Sequence, residues 1–363
     1  MPRNILVTGG AGFIGSNFIH YLLRQDKQVQ VVNLDVLTYA GRLENLQDLP
    51  DPQRHTFIQG DICDRPLVEK IFREHRIDCV VHFAAQTHVD RSIHDPGQFV
   101  QTNIVGTYTL LECARQAWLV DKIVDPGAGL RFHHVSTDEV FGSLAPGAPA
   151  WTEDTPYDPR SPYSASKASS DHLARAYNHT YSLPVSITNC SNNYGPRQFP
   201  EKLIPLMILN TLDGKNLPVY GDGQQVRDWL YVEDHCEAIW KVVTQGQAGQ
   251  TYNIGGGNQP ANLQIVNTLC EIMDELRPQS PYKPHKNLIQ YVADRPGHDR
   301  RYAMDITRIS GELGWKPRES LDSGLLKTVT WYLDHPQWIE NVRSGSDLNG
   351  WMDKNYARRG DVK

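Results

Sequence analysis

Two adjacent carboxylates, Asp138 and Glu139, stand directly after an apolar run in the segment RFHHVSTDEVFGS, residues 131–143. A carboxylate at the edge of a core is costly to desolvate unless a partner or a reaction uses it. Like charges side by side in a dry site raise the pKa of one member, so this pair can supply one acid and one base. Neighbouring strand residues point to opposite faces, so we expect both carboxylates to lie past the strand end. The alternative is an Asp helix cap followed by a surface Glu.

A tyrosine and a lysine four residues apart, Tyr163 and Lys167, follow in the segment SPYSASK. That spacing places both side chains on one helical face, behind a helix start at Ser161 and Pro162. A free tyrosine titrates near pH ~10, too high for a base at neutral pH. One positive charge at about 4 Å lowers that pKa by roughly three units, so Lys167 and a cofactor cation together would make Tyr163 a working base. The alternative is a packing tyrosine and a solvated lysine.

Three regularly spaced glycines, Gly9, Gly12 and Gly15, lie between the first strand-like run and the first helix in the segment TGGAGFIG. Glycines let the backbone approach a pyrophosphate, and a helix N-terminus offers free N–H groups. Asp35 ends the second strand, where a carboxylate binds ribose hydroxyls and repels a 2′-phosphate. These features predict a bound dinucleotide, NAD rather than NADP. A tight strand–helix turn with incidental glycines is the alternative.

Alternating strands and helices in the first half of the chain must position these residues. The predicted strands are residues 4–10, 29–35, 55–61, 78–85 and 132–137, and the predicted helices are 12–24, 64–75, 97–118 and 162–181. Asp61 and Ile62, after the third strand, would hold the adenine edge. The strands are near-continuous apolar runs, which is typical of a parallel sheet covered by helices on both faces. The order predicts an α/β fold with a doubly wound parallel (Rossmann) sheet.

Beyond about residue 190, Pro and Gly become frequent and helices at 201–213, 233–245 and 262–276 are separated by loops. This change predicts a smaller C-terminal α/β lobe that binds substrate over the edge of the sheet. The expected division is a dinucleotide-binding domain over 1–190, to which 227–255 returns, a lobe formed by 191–226 and 256–345, and a polar tail over 346–363.

The bulk composition excludes several classes of protein. The 363 residues are 39% hydrophobic and 21% charged, as in ordinary globular proteins. A net charge of -6 argues against nucleic-acid binding, and no apolar run is long enough for a membrane span. A strand begins at Asn4, so we expect no signal peptide. Six dispersed cysteines predict free thiols, neither disulfides nor a metal site, and hence a cytoplasmic protein.

With these features in place, the sequence resembles the dTDP-glucose 4,6-dehydratase family of extended short-chain dehydrogenases/reductases, from Asn4 to about Asp305. The segments that carry the resemblance are FIGSNF, DVLTYAG, AAQTHVDRSI, STDEVFG, SPYSASKA, TNCSNNYGP, FPEKLIPL, GDGQQVRDWLYVEDH and DRPGHDRRYAMD. The Thr137-Asp138-Glu139 triplet is the discriminating one, because related epimerases and decarboxylases typically carry small or hydroxyl residues at the two acidic positions.

The resemblance implies a three-step reaction on one bound NAD. Tyr163 takes the proton of the sugar's C4 hydroxyl while hydride leaves C4, and Thr137 hydrogen-bonds the same oxygen. Glu139 removes the C5 proton, Asp138 protonates the departing C6 hydroxyl, and hydride returns to C6. The products are a 4-keto-6-deoxy sugar and water.

The resemblance also assigns binding residues. The expected cofactor contacts are Gly9, Gly12, Phe13, Ile14, Gly15, Asp35, Thr38, Asp61, Ile62, Ala84, Ala85, Thr102, Tyr163, Lys167 and Asn193. The expected substrate contacts are Thr87, Thr137, Asn192, Lys202, Leu203, Pro218, Tyr220, Arg227, Asn262, Arg295 and His298, with both arginines as pyrophosphate clamps. Two positions depart from the family pattern: Thr87 replaces a common serine and keeps the hydroxyl, whereas Gln86 replaces a frequent glutamate.

Several alternatives remain open from the sequence. A sugar-nucleotide 4-epimerase would use Tyr163 and NAD but has no use for Asp138 and Glu139. A dehydratase that acts on a UDP-sugar is the other alternative. A non-catalytic binding protein on the same fold should tolerate loss of these residues, yet all are present. The family usually forms a homodimer through the helices at 97–118 and 162–181, whose apolar content is equally compatible with burial inside a monomer.

Overall fold

Seven parallel strands form the centre of the structure, a computed structural model that describes residues 1–125, 127, 129–294 and 298–344. The strands are β1 (Asn4–Thr8), β2 (Gln30–Asp35), β3 (His55–Gln59), β4 (Cys79–His82), β5 (Arg131–Thr137), β6 (Val185–Cys190) and, numbered by its later position in the chain, β10 (Thr251–Ile254). Their order across the sheet is β10-β6-β5-β4-β1-β2-β3. Each of the six pairings is parallel, which confirms the predicted doubly wound α/β class.

Helices cover both faces of this sheet because its strands are apolar on both faces. Ile5 and Val7 belong to one buried cluster and Leu6 between them to another, as alternating strand residues must. The first half of the chain contributes α1 (Phe13–Gln25), α2 (Arg65–Glu74), α3 (Val89–His94), α4 (Pro96–Phe99), α5 (Thr107–Arg115) and α6 (Pro162–Tyr181). The start predicted for α2 is confirmed, since the Asp64 carboxylate accepts a hydrogen bond from the backbone N–H of Leu67.

The long helix predicted over 97–118 is helical throughout but not uniformly α-helical. Two wider π-helical stretches, Val100–Gly106 and Gln116–Val120, flank α5. In the first stretch the Asn103 carboxamide bonds the backbone N–H and C=O of Gln86 at 2.8 and 3.0 Å and the Ser166 hydroxyl at 2.8 Å. This side chain therefore ties the loop after β4 to α6. Single-turn π segments are frequently found at functional sites.

The remaining elements complete the described chain, and most of them build a smaller, mostly helical unit with its own apolar cluster. They are β7 (Asn192–Tyr194), α7 (Leu203–Asp213), β8 (Leu217–Tyr220), β9 (Trp229–Tyr231), α8 (Val232–Gln245), α9 (Asn262–Leu276), β11 (Ile289–Val292), α10 (Thr307–Leu313), α11 (Leu321–Asp334) and α12 (Pro336–Ser344). Two short parallel pairs, β7–β9 and β8–β11, were not predicted. Of these elements, α8 packs against α1 beside the main sheet, which β10 extends by one edge strand.

The structure shows the state of the cysteines and the length and apolarity of the described helices. All six cysteines are free, and all but Cys63 are buried, which confirms the predicted thiols. In the part of the chain that the structure describes, no helix combines the length and apolarity that crossing a bilayer requires.

Strand order reverses at β1, which has β2 on one side and β4 on the other. In open α/β sheets, ligands bind at such a reversal, outside the carboxyl ends of the strands. The loops that follow β1, β2, β4 and β5 meet at this edge and carry the residues singled out by the sequence.

Candidate active site

A cavity of about 540 Å³ opens at this edge of the sheet, and every predicted cofactor position lines it. Four predicted substrate positions, Thr87, Thr137, Asn192 and Lys202, line the same cavity, as do Asp138 and Glu139. The structure therefore brings the glycine turn, the carboxylate pair and the Tyr163–Lys167 pair into one continuous space. Within residues 1–125, 127, 129–294 and 298–344, no group of three His, Cys, Asp or Glu side chains is arranged to hold a metal ion.

The glycine turn after β1 has no room for side chains. Gly9 adopts a left-handed φ of 71°, and a Cβ there would lie 2.7 Å from the backbone nitrogen of Ala84. A Cβ on Gly15 would lie 2.3 Å from the carbonyl oxygen of Gly9. The first turn of α1 consequently packs close behind the loop, and Phe13 and Ile14 line the cavity. This is the cradle that a dinucleotide pyrophosphate needs, so the residues present fit NAD.

Asp35, at the end of β2, is buried and held by two backbone donors. Its Oδ2 accepts from the N–H of Ala11 at 2.9 Å and its Oδ1 from the N–H of Leu37 at 2.8 Å. Burial raises the pKa of Asp35, and these two hydrogen bonds oppose that rise. Each carboxylate oxygen accepts more than one hydrogen bond, so the group still fits ribose hydroxyls. Asp61 and Ile62 line the adjoining wall, where the Asp61 Oδ1 accepts from the backbone of Cys63 at 2.8 Å.

The carboxylate pair lies where the sequence placed it, immediately past the end of β5. A short 3₁₀ turn, Asp138–Phe141, follows Thr137 and ends at Gly142, whose φ is 85°. Asp138 is only 2% exposed, and burial, reinforced by the neighbouring Glu139 anion, raises its pKa well above the usual value, while Arg227 opposes that rise. The pair thus contains one carboxyl group favoured in its protonated form, with the half-buried Glu139 beside it.

Tyr163 and Lys167 occupy successive turns at the start of α6, which a Ser161–Ser164 capping box opens. The Lys167 ammonium is buried and donates to the carbonyl of Val135 at 2.8 Å. Burial raises the pKa of Tyr163 well above its usual value, and the Glu139 anion raises it further. The lowering of the Tyr163 pKa expected from Lys167 is therefore not the dominant effect in the protein alone, because desolvation of the phenolate outweighs it.

The other predicted substrate residues lie apart from the lining of this cavity. Leu203 begins α7 directly after Lys202, while Pro218 and Tyr220 belong to β8 and Asn262 begins α9. The Tyr220 and His298 rings are 6.2 Å apart. Arg295 lies outside the described residues.

Arg227 lies near the carboxylate pair but is bound to backbone. Its guanidinium donates to the carbonyls of Val226 at 2.8 Å and Asp299 at 2.9 Å and lies 4.1 Å above the ring of Tyr302. It also lowers the pKa of Asp138, as a cation close to that carboxyl must. Arg227, which the sequence predicts to bind a pyrophosphate, thus lies near Asp138, and the carbonyls of Val226 and Asp299 accept two of its hydrogen bonds.

Comparison with known proteins identifies the relatives of this chain. The family model described as GDP-mannose 4,6 dehydratase matches residues 6–328. A dTDP-glucose 4,6-dehydratase of Escherichia coli K12 is 55% identical over 364 residues, which cover 98% of this chain and 99% of the relative. The dTDP-glucose 4,6-dehydratase of Neisseria meningitidis serogroup B is 56% identical over 346 residues, covering 95% and 97%. The chain belongs to the dTDP-glucose 4,6-dehydratase family.

Solved structures agree with this family assignment. The Streptomyces venezuelae dTDP-glucose 4,6-dehydratase DesIV, crystallised with NAD and TYD, is 45% identical, covers 94% of this chain and 100% of its own, and superimposes with a TM-score of 0.83. The Bacillus anthracis dTDP-glucose 4,6-dehydratase, crystallised with NAD, gives 44% identity, coverage of 94% and 99%, and a TM-score of 0.82. A UDP-glucose 4-epimerase of Thermotoga maritima is 30% identical, covers 92% and 100%, and gives a TM-score of 0.80. The predicted resemblance is confirmed.

One group in this dehydratase-family cavity was missed by sequence reasoning. Glu201 lines the cavity, is buried, and accepts a hydrogen bond from the Tyr39 hydroxyl at 3.0 Å. Its Oε2 lies 3.7 Å from His88 and 3.6 Å from Arg91. The only sequence signal was its position directly before Lys202 in FPEKLIPL.

Proposed function

We propose that this protein catalyses the NAD-dependent dehydration of dTDP-glucose to the 4-keto-6-deoxy sugar and water. The observation that carries the proposal is the buried Asp138–Glu139 pair, which lies in the same cavity as Tyr163 and the dinucleotide cradle. Elimination of water needs an acid and a second base on the same substrate, whereas oxidation at C4 needs only the base that Tyr163 supplies. The 55% identity to dTDP-glucose 4,6-dehydratases supports the same activity and the same nucleotide.

NAD is held, in this proposal, by the glycine turn, Asp35, the Asp61–Ile62 wall and Lys167. When bound, NAD supplies the hydride acceptor and later donor, and a positive charge near Tyr163. A positive charge near a buried phenol lowers its pKa, which offsets the effect of burial. Tyr163 then takes the proton of the C4 hydroxyl, and the Thr137 hydroxyl hydrogen-bonds the same oxygen.

The two carboxylates carry the elimination. Oxidation at C4 makes the C5 proton acidic, and Glu139 is placed to remove it as a base. Asp138, whose raised pKa keeps it protonated, donates its proton to the C6 oxygen as water departs. The Thr137 hydroxyl donates to Asp138 Oδ1 at 3.2 Å, which fixes the orientation of the acid.

The remaining substrate contacts, apart from Arg227, are proposed for the second unit of the chain, formed by 191–226 and 256–345. Asn192 and Lys202 line the cavity, Leu203 follows Lys202 at the start of α7, and the others are proposed to surround the nucleotide diphosphate. Those others are Pro218, Tyr220, Arg227, Asn262, Arg295 and His298. The position of the Arg227 guanidinium near the carboxylate pair supports a diphosphate beside it.

A product assay tests the proposed function. Purified protein is incubated with dTDP-glucose or UDP-glucose, without added NAD and again with it, and the nucleotide-sugar product is analysed by mass spectrometry. We expect a product lighter by one water, formed faster from dTDP-glucose. An unchanged mass with galactose formed would point to an epimerase, and faster turnover of UDP-glucose would reassign the base. No turnover even with NAD supplied would contradict the proposal.

We also propose that the protein is a homodimer formed through α4–α5 and α6. Three apolar side chains along the first helical run are well exposed: Val100, Val105 and Tyr108 at 50%, 37% and 44%. Tyr181, in the last turn of α6, is 47% exposed. Grouped exposed apolar side chains on adjoining helices are typical of a protein–protein interface.

Replacing Tyr108 with aspartate is expected to convert the dimer to a monomer, because it places a charge in an apolar contact. Analytical ultracentrifugation measures the change. Leu326→Asp is a matched control, since Leu326 on α11 is equally exposed at 44%. A wild-type protein that sediments as a monomer, or a Tyr108→Asp protein that remains dimeric, would contradict the assignment.

We also propose that the protein is located in the cytoplasm. Its support is the six free thiols, five of them buried, which persist in a reducing compartment. The partner expected there is the nucleotide-sugar substrate, and the net charge of -6 is unsuited to nucleic acid.

A further inference from the structure

A group of buried polar side chains lies next to Lys167 and is not used by the reaction described above. Its centre is Asp171, one helical turn after Lys167 on α6 and 0% exposed. Its Oδ2 accepts hydrogen bonds from Ser136 at 2.8 Å and Tyr157 at 2.9 Å, and its Oδ1 lies 3.1 Å from His134 Nε2. We call Asp171, His134, Ser136 and Tyr157 the Asp171 cluster.

His134 connects Asp171 to Lys167. Its Nε2 lies 3.1 Å from the Asp171 carboxylate and 3.5 Å from the Lys167 ammonium. Burial lowers the pKa of His134 to about 4, and the Lys167 cation contributes to that lowering, so the ring is neutral at pH 7. The Ser170 hydroxyl donates to the carbonyl of Lys167 and can accept from Nε2, so the proton of the neutral ring belongs on Nε2.

Asp171 is a buried anion, and its charge compensates that of the Lys167 ammonium. Donors from Ser136 and His134, together with the Lys167 charge, keep the pKa of Asp171 below its usual value despite burial. For Lys167 the largest effect is burial, which lowers its pKa, and Asp171 is the leading opposing influence. A buried ammonium without a compensating anion readily loses its proton.

We propose that Asp171 is a positioning residue for the dehydration reaction, one that holds Lys167 charged and in place beside Tyr163 and the cofactor. Its carboxylate acts through its charge, and the neutral His134 ring lies against both the carboxylate and the Lys167 ammonium. The proposal rests on the function proposed above, in which Lys167 binds the cofactor and assists Tyr163. No proton needs to travel through the cluster, because its role is electrostatic and geometric.

The other charged or titratable groups around Lys167 come from four elements. Tyr163 and Arg175 share α6 with it, Cys190 ends β6, Asp138 and Glu139 occupy the turn after β5, and His82 lies on β4. His82 is neutral, because burial lowers its pKa well below the usual value. Burial raises the pKa of Cys190 to about 12, so it is a neutral thiol at pH 7. Asp138 is favoured in its protonated form, and Glu139 interacts mainly with Asp138 and Tyr163. Asp171 therefore remains the main anion for Lys167.

Asp171→Asn tests the proposal, since it keeps the shape and removes the charge. Because Asp171 raises the pKa of Lys167, its loss lowers that pKa, and Lys167 then loses its proton at a lower pH. We expect the alkaline limb of the kcat–pH profile to move down by about one pH unit or more. The Kd of NAD, measured by calorimetry, should rise with pH over the same lowered range, while the KM of the sugar nucleotide changes little.

Two further variants, Tyr157→Phe and Asp171→Glu, are controls. Tyr157→Phe removes a hydrogen bond to Asp171 but no charge from the cluster, so its pH profile should match the wild type. Asp171→Glu restores the charge and should return the alkaline limb toward its wild-type position. If Asp171→Asn fails to fold, Asp171→Ser removes the same charge in a smaller side chain and should move the limb in the same direction.

A folded Asp171→Asn protein with the wild-type alkaline limb and the wild-type pH dependence of NAD binding would overturn the proposal. A uniform fall in kcat at every pH, without movement of the limb, would also overturn it, because that indicates a purely structural role. NAD binding is measured without turnover. Failure of the dehydratase assay would consequently leave the Asp171 result interpretable, and the two failures are distinguishable.

Discussion

Replacing Tyr163 with phenylalanine is expected to lower kcat by about 10²–10⁴-fold, because the group that accepts the C4 hydroxyl proton is removed. The ring itself remains and still packs edge-on against Phe99, whose centroid is 6.3 Å away. NAD binding should change little. The measurement is the rate at which nicotinamide is reduced after dTDP-glucose is mixed with enzyme that carries NAD, followed by its absorbance.

Tyr177→Phe is the matched control for this variant. Tyr177 lies on the same helix and donates its hydroxyl to Glu112 at 3.0 Å, away from the cavity. Its kcat should equal that of the wild type. Nicotinamide reduction at the wild-type rate in Tyr163→Phe would show that another group takes the C4 proton.

Replacing Asp138 with asparagine or Glu139 with glutamine is expected to separate oxidation from elimination. Each variant retains Tyr163, Lys167 and the dinucleotide cradle, so hydride removal at C4 should still occur. Loss of the acid or the base should slow water release by about 10²–10⁴-fold. Reduced nicotinamide should therefore accumulate in a single turnover, whereas in the wild type it is reoxidised when hydride returns to C6.

Two measurements on each variant check this expectation: the absorbance of reduced nicotinamide and the mass of the sugar nucleotide after quenching. Asp154→Asn, on an exposed loop, is the control and should behave like the wild type. Release of water at the wild-type rate by Glu139→Gln would remove Glu139 from the role of C5 base. The same result for Asp138→Asn would remove Asp138 from the role of acid.

The parts of the site nearest in sequence to strand ends were the most predictable. The glycine turn, Asp35 and the Asp138–Glu139 pair each follow a buried strand, and in a parallel sheet those ends share one edge. Tyr163 and Lys167 required only helical spacing and a helix start after β5. Simple periodicity and the rule for parallel sheets were therefore enough to gather these groups into one cavity.

Features that depend on tertiary packing were less accessible from the sequence. Asp171 and His134 lie 37 positions apart in sequence, and nothing local to either marks their 3.1 Å approach. The π-helical stretches around α5 have ordinary apolar periodicity. The raised pKa of Tyr163 reflects how completely its side chain is buried. The contacts of Arg227 with the Asp299 carbonyl and the Tyr302 ring depend on the path of residues 299–302.

The turn Asp138–Phe141 is only four residues long and is anchored by β5 before it and Gly142 after it. The groups proposed for hydride chemistry, Tyr163 and Lys167, lie on a different element, α6. Because the carboxylate pair and the Tyr163–Lys167 pair lie on separate elements, we expect substitutions within the turn to change which bonds of a sugar are broken while NAD binding stays the same. The Thermotoga maritima UDP-glucose 4-epimerase has a similar fold, with a TM-score of 0.80. Dehydratases and epimerases thus share one arrangement of sheet and helices. We therefore expect reaction type in this fold to vary with the side chains of this turn, while the sheet, the helices and the dinucleotide cradle stay the same.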